Sequence, residues 1–199
     1  MMLTEETGIA EAALPVAQLK DHLRLGGGFA DDGLQDGLLA GYLRAAIGAI
    51  EGRTGKALIA RRFRLELAAW RGTQAQALPM APVSAVVSVT LRDADGQGTA
   101  VDPAAWRLVP DLHRPRLAGR GGCLPAIPEE GSVEIVFDAG FAAAWADLPT
   151  DLAQAVILLA AEFHERRHEM GLREAALPFG VMSLIERWRN VRLLAGGGR

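Results

Sequence analysis

The sequence predicts an α+β fold in which N- and C-terminal helices pack together and a small antiparallel β unit lies between them. Three observations predict it. Apolar residues recur at helical spacing near both ends, they alternate with polar ones in the middle, and Pro/Gly clusters separate the alternating runs. The expected division is an N-terminal arm and helices over 1–58, a β unit with a long Pro/Gly loop over 59–140, and C-terminal helices over 141–199.

Residues 1–14 read as a loose arm. Pro15 can open a short helix with Val16, Leu19 and Leu23 on one face. Gly26-Gly27-Gly28 makes its continuation costly. Asp31 and Asp32 offer a cap for a second helix. Its apolar face is either Leu34, Leu38 and Tyr42 or Leu39 and Leu43, continuing to Ala46, Ile47 and Ile50. Gly37, Gly41 and Gly48 weaken this helix and also permit another backbone to come close. Thr54-Gly55 is a stop signal.

Phe63, Leu65 and Leu67 alternate with Arg62, Arg64 and Glu66, as a strand does. Pro79 and Pro82 bracket a turn before the β-branched run Val83 to Leu91. Asp93-Ala94-Asp95-Gly96 then turns the chain. Trp106, Leu108 and Val109 suggest a further short strand. Pro110, Pro115, Pro125 and Pro128, interleaved with Gly119, Gly121, Gly122 and Gly131, predict a loop over 110–131. Val133, Ile135 and Phe137 give the last strand. Thr150 and Asp151 then favour the start of the strongest helix, with Leu152, Val156, Leu159 and Phe163 on its stripe, running to Glu169 or Met170. After the break at Leu177-Pro178-Phe179-Gly180, Val181, Leu184, Ile185, Trp188 and Val191 mark a final helix.

With 199 residues the chain can bury one core, or one core with a small satellite. The formal net charge of -3 gives no support for a nucleic-acid-binding domain. A mild negative charge still suits a protein that lines a DNA passage. Cys123 is the single cysteine, so an intrachain disulfide and a Cys-rich metal site are excluded. There is no basic leader with a long apolar run, and no apolar stretch of spanning length. The expectation is a protein assembled in the cytoplasm.

The sharpest motif is His164-Glu165-Arg166-Arg167-His168, an H-E-x-x-H string followed by Gly171 and Glu174. Two histidines four apart share one helix face and can hold zinc, Glu165 can act as base on the metal's water, and Glu174 can supply a third ligand. The surroundings oppose that reading. Arg166 and Arg167 place two cations between the ligands, where a zinc site already carries positive charge. Glu162, Glu165 and Glu169 make this half-helix polar, and i,i+4 pairing such as Glu162 with Arg166 explains the charges. The string therefore reads as a solvated or protein-facing helix end. No metal, cofactor or catalytic residue is expected.

Gly26-Gly27-Gly28 and Gly52-Arg53-Thr54-Gly55-Lys56 lack the spacing of a phosphate loop. Arg61, Arg62 and Arg64 form a basic run that suits a solvated strand face, or contact with an acidic partner or DNA. Near the C-terminus Arg187, Arg189 and Arg192 surround the apolar stripe carrying Trp188. Such a helix can cap its own core or dock on another protein.

Several stretches together resemble the phage head–tail connector, or adaptor, proteins, the gp6-like and gp8-like groups, and their relatives in gene transfer agents. They are residues 16–25 (VAQLKDHLRL), the Asp31-Asp32 helix start, 51–58 (EGRTGKAL), 78–86 (LPMAPVSAV), 89–96 (VTLRDADG), 148–155 (LPTDLAQA) and 177–181 (LPFGV). In that family an aromatic followed by acidic and arginine residues occupies the place of Phe163-His164-Glu165-Arg166-Arg167. The resemblance implies a non-enzymatic ring subunit, commonly one of twelve, between the portal protein and a stopper or tail protein, with DNA passing through the lumen without sequence-specific binding. It implies a location in the neck of a virion or phage-like particle. On this reading Trp188, Arg187, Arg189 and Arg192 face the portal. The competing functions are a small zinc metallopeptidase using His164, His168, Glu174 and Glu165, and a DNA-binding module using Arg61, Arg62, Arg64 and the C-terminal arginines.

Overall fold

A computed structural model describes residues 1–25, 33, 35–166 and 177–189. In chain order it has β1 (Met2–Glu5), α1 (Val16–His22), α2 (Asp36–Thr54), β2 (Arg61–Leu67), β3 (Ala75–Ala77), β4 (Val83–Arg92), β5 (Gly98–Ala100), β6 (Trp106–Val109), β7 (Arg116–Gly119), β8 (Ser132–Ala139), α3 (Thr150–Glu165) and α4 (Phe179–Ile185). Single 3-10 turns lie at Glu11–Ala13, Pro103–Ala105, Trp145–Asp147 and Glu186–Trp188. The predicted α+β class is the one observed: helices from both ends of the chain flank an antiparallel β region.

The helices form one apolar core. Leu39, Leu43, Ala46, Ile47 and Ile50 of α2 meet Leu152, Val156 and Leu159 of α3, with Leu19 of α1 and Val181 and Ile185 of α4. Of the two candidate faces for α2, the one carrying Leu39 and Leu43 is buried, whereas Leu38 is 51% exposed. α3 packs against both α2 and α4. α2 ends where Gly55 adopts φ +66° and donates its N–H to the Glu51 carbonyl, as a left-handed cap requires.

The β unit has its own core between two sheets. β1-β2-β8-β4-β5 forms one antiparallel sheet and β3-β7-β6 the other. Phe63, Leu65 and Leu67 of β2 and Val133, Ile135 and Phe137 of β8 turn inward toward Trp106, Leu117 and Leu124. Phe63 and Phe137 are register partners and stack at 5.7 Å. Each such fully buried apolar side chain contributes about 1.5–3 kcal/mol.

The two cores join through Ala57–Ala60 and Gly140–Ala142. Ala57 N–H donates to Ala81 at 2.8 Å, Ala60 N–H to Ala142 at 2.8 Å and Phe141 N–H to Leu58 at 3.1 Å. Gly140 has φ +147°, and a Cβ there would lie 2.3 Å from Ala60 Cα. Only glycine permits that approach.

Four expectations need correction. The arm at 1–14 is not loose throughout, because Met2–Glu5 pairs with Glu66–Phe63 of β2. The stretch 110–131 is not all loop, since β7 forms the centre of the smaller sheet. Thr150 is the first helical residue and makes no capping hydrogen bond; Pro149 holds the cap position. In β8 the alternation is blurred, because Glu134 and Val136 on the second face are also buried. The expected features at Gly26-Gly27-Gly28, Asp31, Asp32, Leu34, Met170 and Val191 lie outside the described residues.

Candidate functional site

The basic run of β2 resolves into three different environments. Arg61 is buried and holds Glu51 of α2 in a two-point pair, Nη1–Oε1 at 2.9 Å and Nη2–Oε2 at 2.5 Å. Its Nε lies 2.9 Å from Glu5 Oε1 on β1. Glu51 Oε1 also accepts the Leu58 N–H at 2.7 Å. One ion cluster therefore ties the N-terminal strand, the end of α2 and the first residues of the β unit. Arg62 makes a two-point pair with Asp138, directly opposite on β8, at 2.8 and 3.0 Å. Arg64 pairs with Glu6 and lies 3.7 Å from Glu134, which also accepts from Arg92 at 2.9 Å. All three arginines are thus answered by carboxylates of the same chain. A stripe neutralised in this way lacks the unpaired positive field that a phosphate backbone needs, and the DNA-binding reading of Arg61, Arg62 and Arg64 loses its basis.

Lys56 is fully buried at the junction, and burial pushes its ammonium below the ordinary lysine range, partly opposed by Asp111. Asp111 itself is held below the usual carboxylate range by the backbone N–H groups of Arg114 and His113. An open cleft of about 300 Å³ lies over the ion cluster, between Gly8, Ile9, Arg44, Ile47 and Gly48. It brings together no nucleophile, base and orienting group.

Of the H-E-x-x-H string, only His164, Glu165 and Arg166 are described. His164 is half-buried, edge-on to Tyr42 of α2 at 6.0 Å. Glu165 is exposed, and Arg166 pairs with Glu162 at 2.7 Å as the i,i+4 spacing predicts. His168 and Glu174 lie outside the described residues. Among the described residues no group of three or more His, Cys, Asp or Glu is placed to hold a metal ion.

The C-terminal set is partly turned inward. Trp188 is half-buried against the helical core, edge-on to Phe141 at 5.0 Å, and donates its indole N–H to Asp151 Oδ2 at 2.8 Å. Arg187 Nε reaches the same oxygen at 2.7 Å while its guanidinium lies over the indole ring at 4.5 Å. Arg189 pairs with Glu186. Asp151, chosen from sequence only as a helix-start acid, is the residue that fixes Trp188 and Arg187. Its role depends on a partner 37 positions away, so helix-start logic gives no sign of it. Arg187 remains largely exposed; Arg192 lies outside the described residues.

The described residues form a helical core and a β unit with its own core, and the β2 arginines are answered by carboxylates of the same chain. No family model matches the chain, and no curated protein does. Solved structures match along nearly the whole length. A chain in "Neck of empty GTA particle computed with C6 symmetry" is 60% identical with TM-score 0.89, covering 98% of this chain and 99% of that one. A chain in "Virion of native gene transfer agent (GTA) particle" is 60% identical with TM-score 0.86, at the same coverage. A chain in "Neck of native GTA particle computed with C12 symmetry" is 56% identical with TM-score 0.84, again over 98% and 99%. This chain belongs to the head–tail connector, or adaptor, family that includes the gene transfer agent adaptors.

Proposed function

We propose that this protein is the structural, non-enzymatic ring subunit that joins head to tail in the neck of a phage-like particle. The observation that carries the reading is the end-to-end likeness to chains of gene transfer agent necks. Twelve copies close a ring, the portal protein lies on one side and a stopper or tail protein on the other, and DNA passes through the lumen. The internal pairing of the β2 arginines supports passage without capture, because guanidinium groups already answered by carboxylates do not hold a polyanion. The separate helical and β cores support assigning the helices of 1–58 and 141–199 to ring building, and the unit 59–140 to contacts beyond the ring. Arg187 and Arg189, which keep exposed guanidinium surface beside the anchored Trp188, support the C-terminal segment, with Arg192, as the portal-facing element.

Deleting the gene in the cells that make the particles tests this. The expected product is DNA-filled heads without tails, with tails restored by the gene supplied separately. Normal tailed particles from the deletion strain would overturn the reading.

A further inference from the structure

The outer face of the smaller sheet carries charge that the fold does not answer. Trp106 of β6 and Leu117 of β7 turn into the core, so their neighbours Arg107 and Arg116 turn outward, and both are exposed. Arg107 stands opposite Ala118, and Arg116 stands opposite Val109 of β6 and Ala77 of β3. The two arginines are therefore diagonal neighbours on one face, about 7–8 Å apart. No strand of this sheet contains a carboxylate. Asp111, which senses the Arg116 charge, is committed to the backbone N–H groups of His113 and Arg114. Neither Arg107 nor Arg116 has an ion pair among the described residues, in contrast with Arg61, Arg62 and Arg64. Like charges set side by side on a sheet oppose its stability, so the fold itself gains nothing from this pair.

The larger sheet ends in the opposite charge. The turn at 93–97 after β4 and the turn at 128–131 before β8 lie side by side. Arg92 pairs with Ser132, and a Cβ on Gly131 would lie 2.2 Å from the Arg92 carbonyl oxygen. Asp95, Glu129 and Glu130 are exposed there and have no ion pair among the described residues. Asp93 closes its own turn by accepting the N–H groups of Asp95 and Gln97. Arg92, the cation beside them, is held by Glu134 at 2.9 Å. Within one copy no ion pair joins the acidic end to the Arg107–Arg116 face among the described residues. A closed ring of identical copies needs two unlike, complementary patches on every subunit, and this unit carries both. A duplex would answer only the basic one.

We infer that the Arg107–Arg116 face of one copy receives the turns at 93–97 and 128–131 of the next, with Asp95, Glu129 and Glu130 answering the two guanidiniums. The inference rests on the ring-subunit reading above and gives the β unit a lateral contact in addition to those beyond the ring. Exposed ion pairs are individually weak, so the contact gains its strength from repetition around the ring. Its clearest signature is the repulsion that appears when one side alone is reversed.

The test supplies full-length protein to cells that lack the gene and measures the chain in purified particles. Arg107→Glu with Arg116→Glu reverses one side, and Glu129→Lys with Glu130→Lys reverses the other. Each reversal should leave the Tm of the unassembled chain unchanged and lower incorporation about tenfold. The four changes together should restore incorporation to near the wild-type level. A combination no better than either reversal, or wild-type incorporation of both reversals, overturns the inference. So does a loss confined to the basic reversal, which would assign that face to DNA or to a different protein. A milder variant keeps the test decisive where a reversal fails to fold. Arg116→Lys keeps the charge, and Lys20 and the buried Lys56 are the only lysines of the natural chain. A zero-length carbodiimide cross-linker applied to these particles should add to the wild-type pattern a ladder of this chain past dimer. Its linked peptides should join position 116 to Asp95, Glu129 or Glu130. No added ladder, or a cross-link from position 116 to a different protein, overturns the inference. Absence of the wild-type chain from particles would instead sink the neck assignment itself.

Discussion

At the residue scale, the chain's charged side chains serve its own joints. The Glu51–Arg61 pair is the clearest case, because both partners are buried and each has a further bond, Glu51 to the Leu58 N–H and Arg61 to Glu5. Removing one partner of such a pair leaves a buried charge unanswered, which costs about 3–5 kcal/mol. Glu51→Ala should lower the urea midpoint of unfolding accordingly, whereas Arg62→Ala, which breaks a half-exposed pair with Asp138, should cost under about 1 kcal/mol. Lys56 gives a pH signature. Its folded pKa lies below the ordinary value of 10.5 that the unfolded chain keeps. Between those two values the unfolded state binds more protons, so stability rises with pH through that window. Lys56→Met should abolish this alkaline rise, read as Tm against pH from about neutral to about pH 10. The sequence makes the β2 arginines visible as a basic run. Their partners stay hidden, because Glu5, Glu51, Asp138 and Glu134 lie far along the chain and become neighbours only through strand register and the α2 joint.

At the element scale, legibility follows the strength of each element's own pattern. α3 carries one apolar stripe, Leu152-Val156-Leu159, and starts where its period puts it, but it ends at Glu165 and not at the expected Glu169 or Met170. α2 leaves two faces open because its glycines dilute the contrast between sides; packing against α3 chooses Leu39 and Leu43. β1 and β7 are not legible. Each has four residues, β1 is exposed along its whole length, and β7 sits among prolines and glycines, so strand character comes from the partner. The pairing of β1 predicts that the N-terminus is structural. Removing residues 1–7 takes away the β1 ladder and the carboxylates of Glu5 and Glu6 from Arg61 and Arg64. The truncated chain should unfold about 1–3 kcal/mol more easily in urea. An unchanged midpoint would show that β1 adds nothing to the fold.

At the scale of the whole molecule, the H-E-x-x-H string and the rest of the chain point in different directions, and the rest of the chain prevails. His164 packs on Tyr42, Arg166 answers Glu162, and the 60% identical relatives are chains of gene transfer agent particles. Trp188 among arginines is legible in the sequence; that Asp151 pins Trp188 and Arg187 from α3 is not, because no local spacing encodes it. The α2 glycines are legible in the sequence as a place where the helix is weakened, and Gly37, Gly41 and Gly48 stand exposed with open space beyond them. A cryo-EM reconstruction of the neck from purified particles, refined without imposed symmetry, tests whether this chain forms the neck ring. A closed ring next to the portal is expected, its repeating density fitted by this fold twelve times around the axis. A neck ring fitted by another protein, with this chain elsewhere in the particle or missing from it, would overturn the assignment.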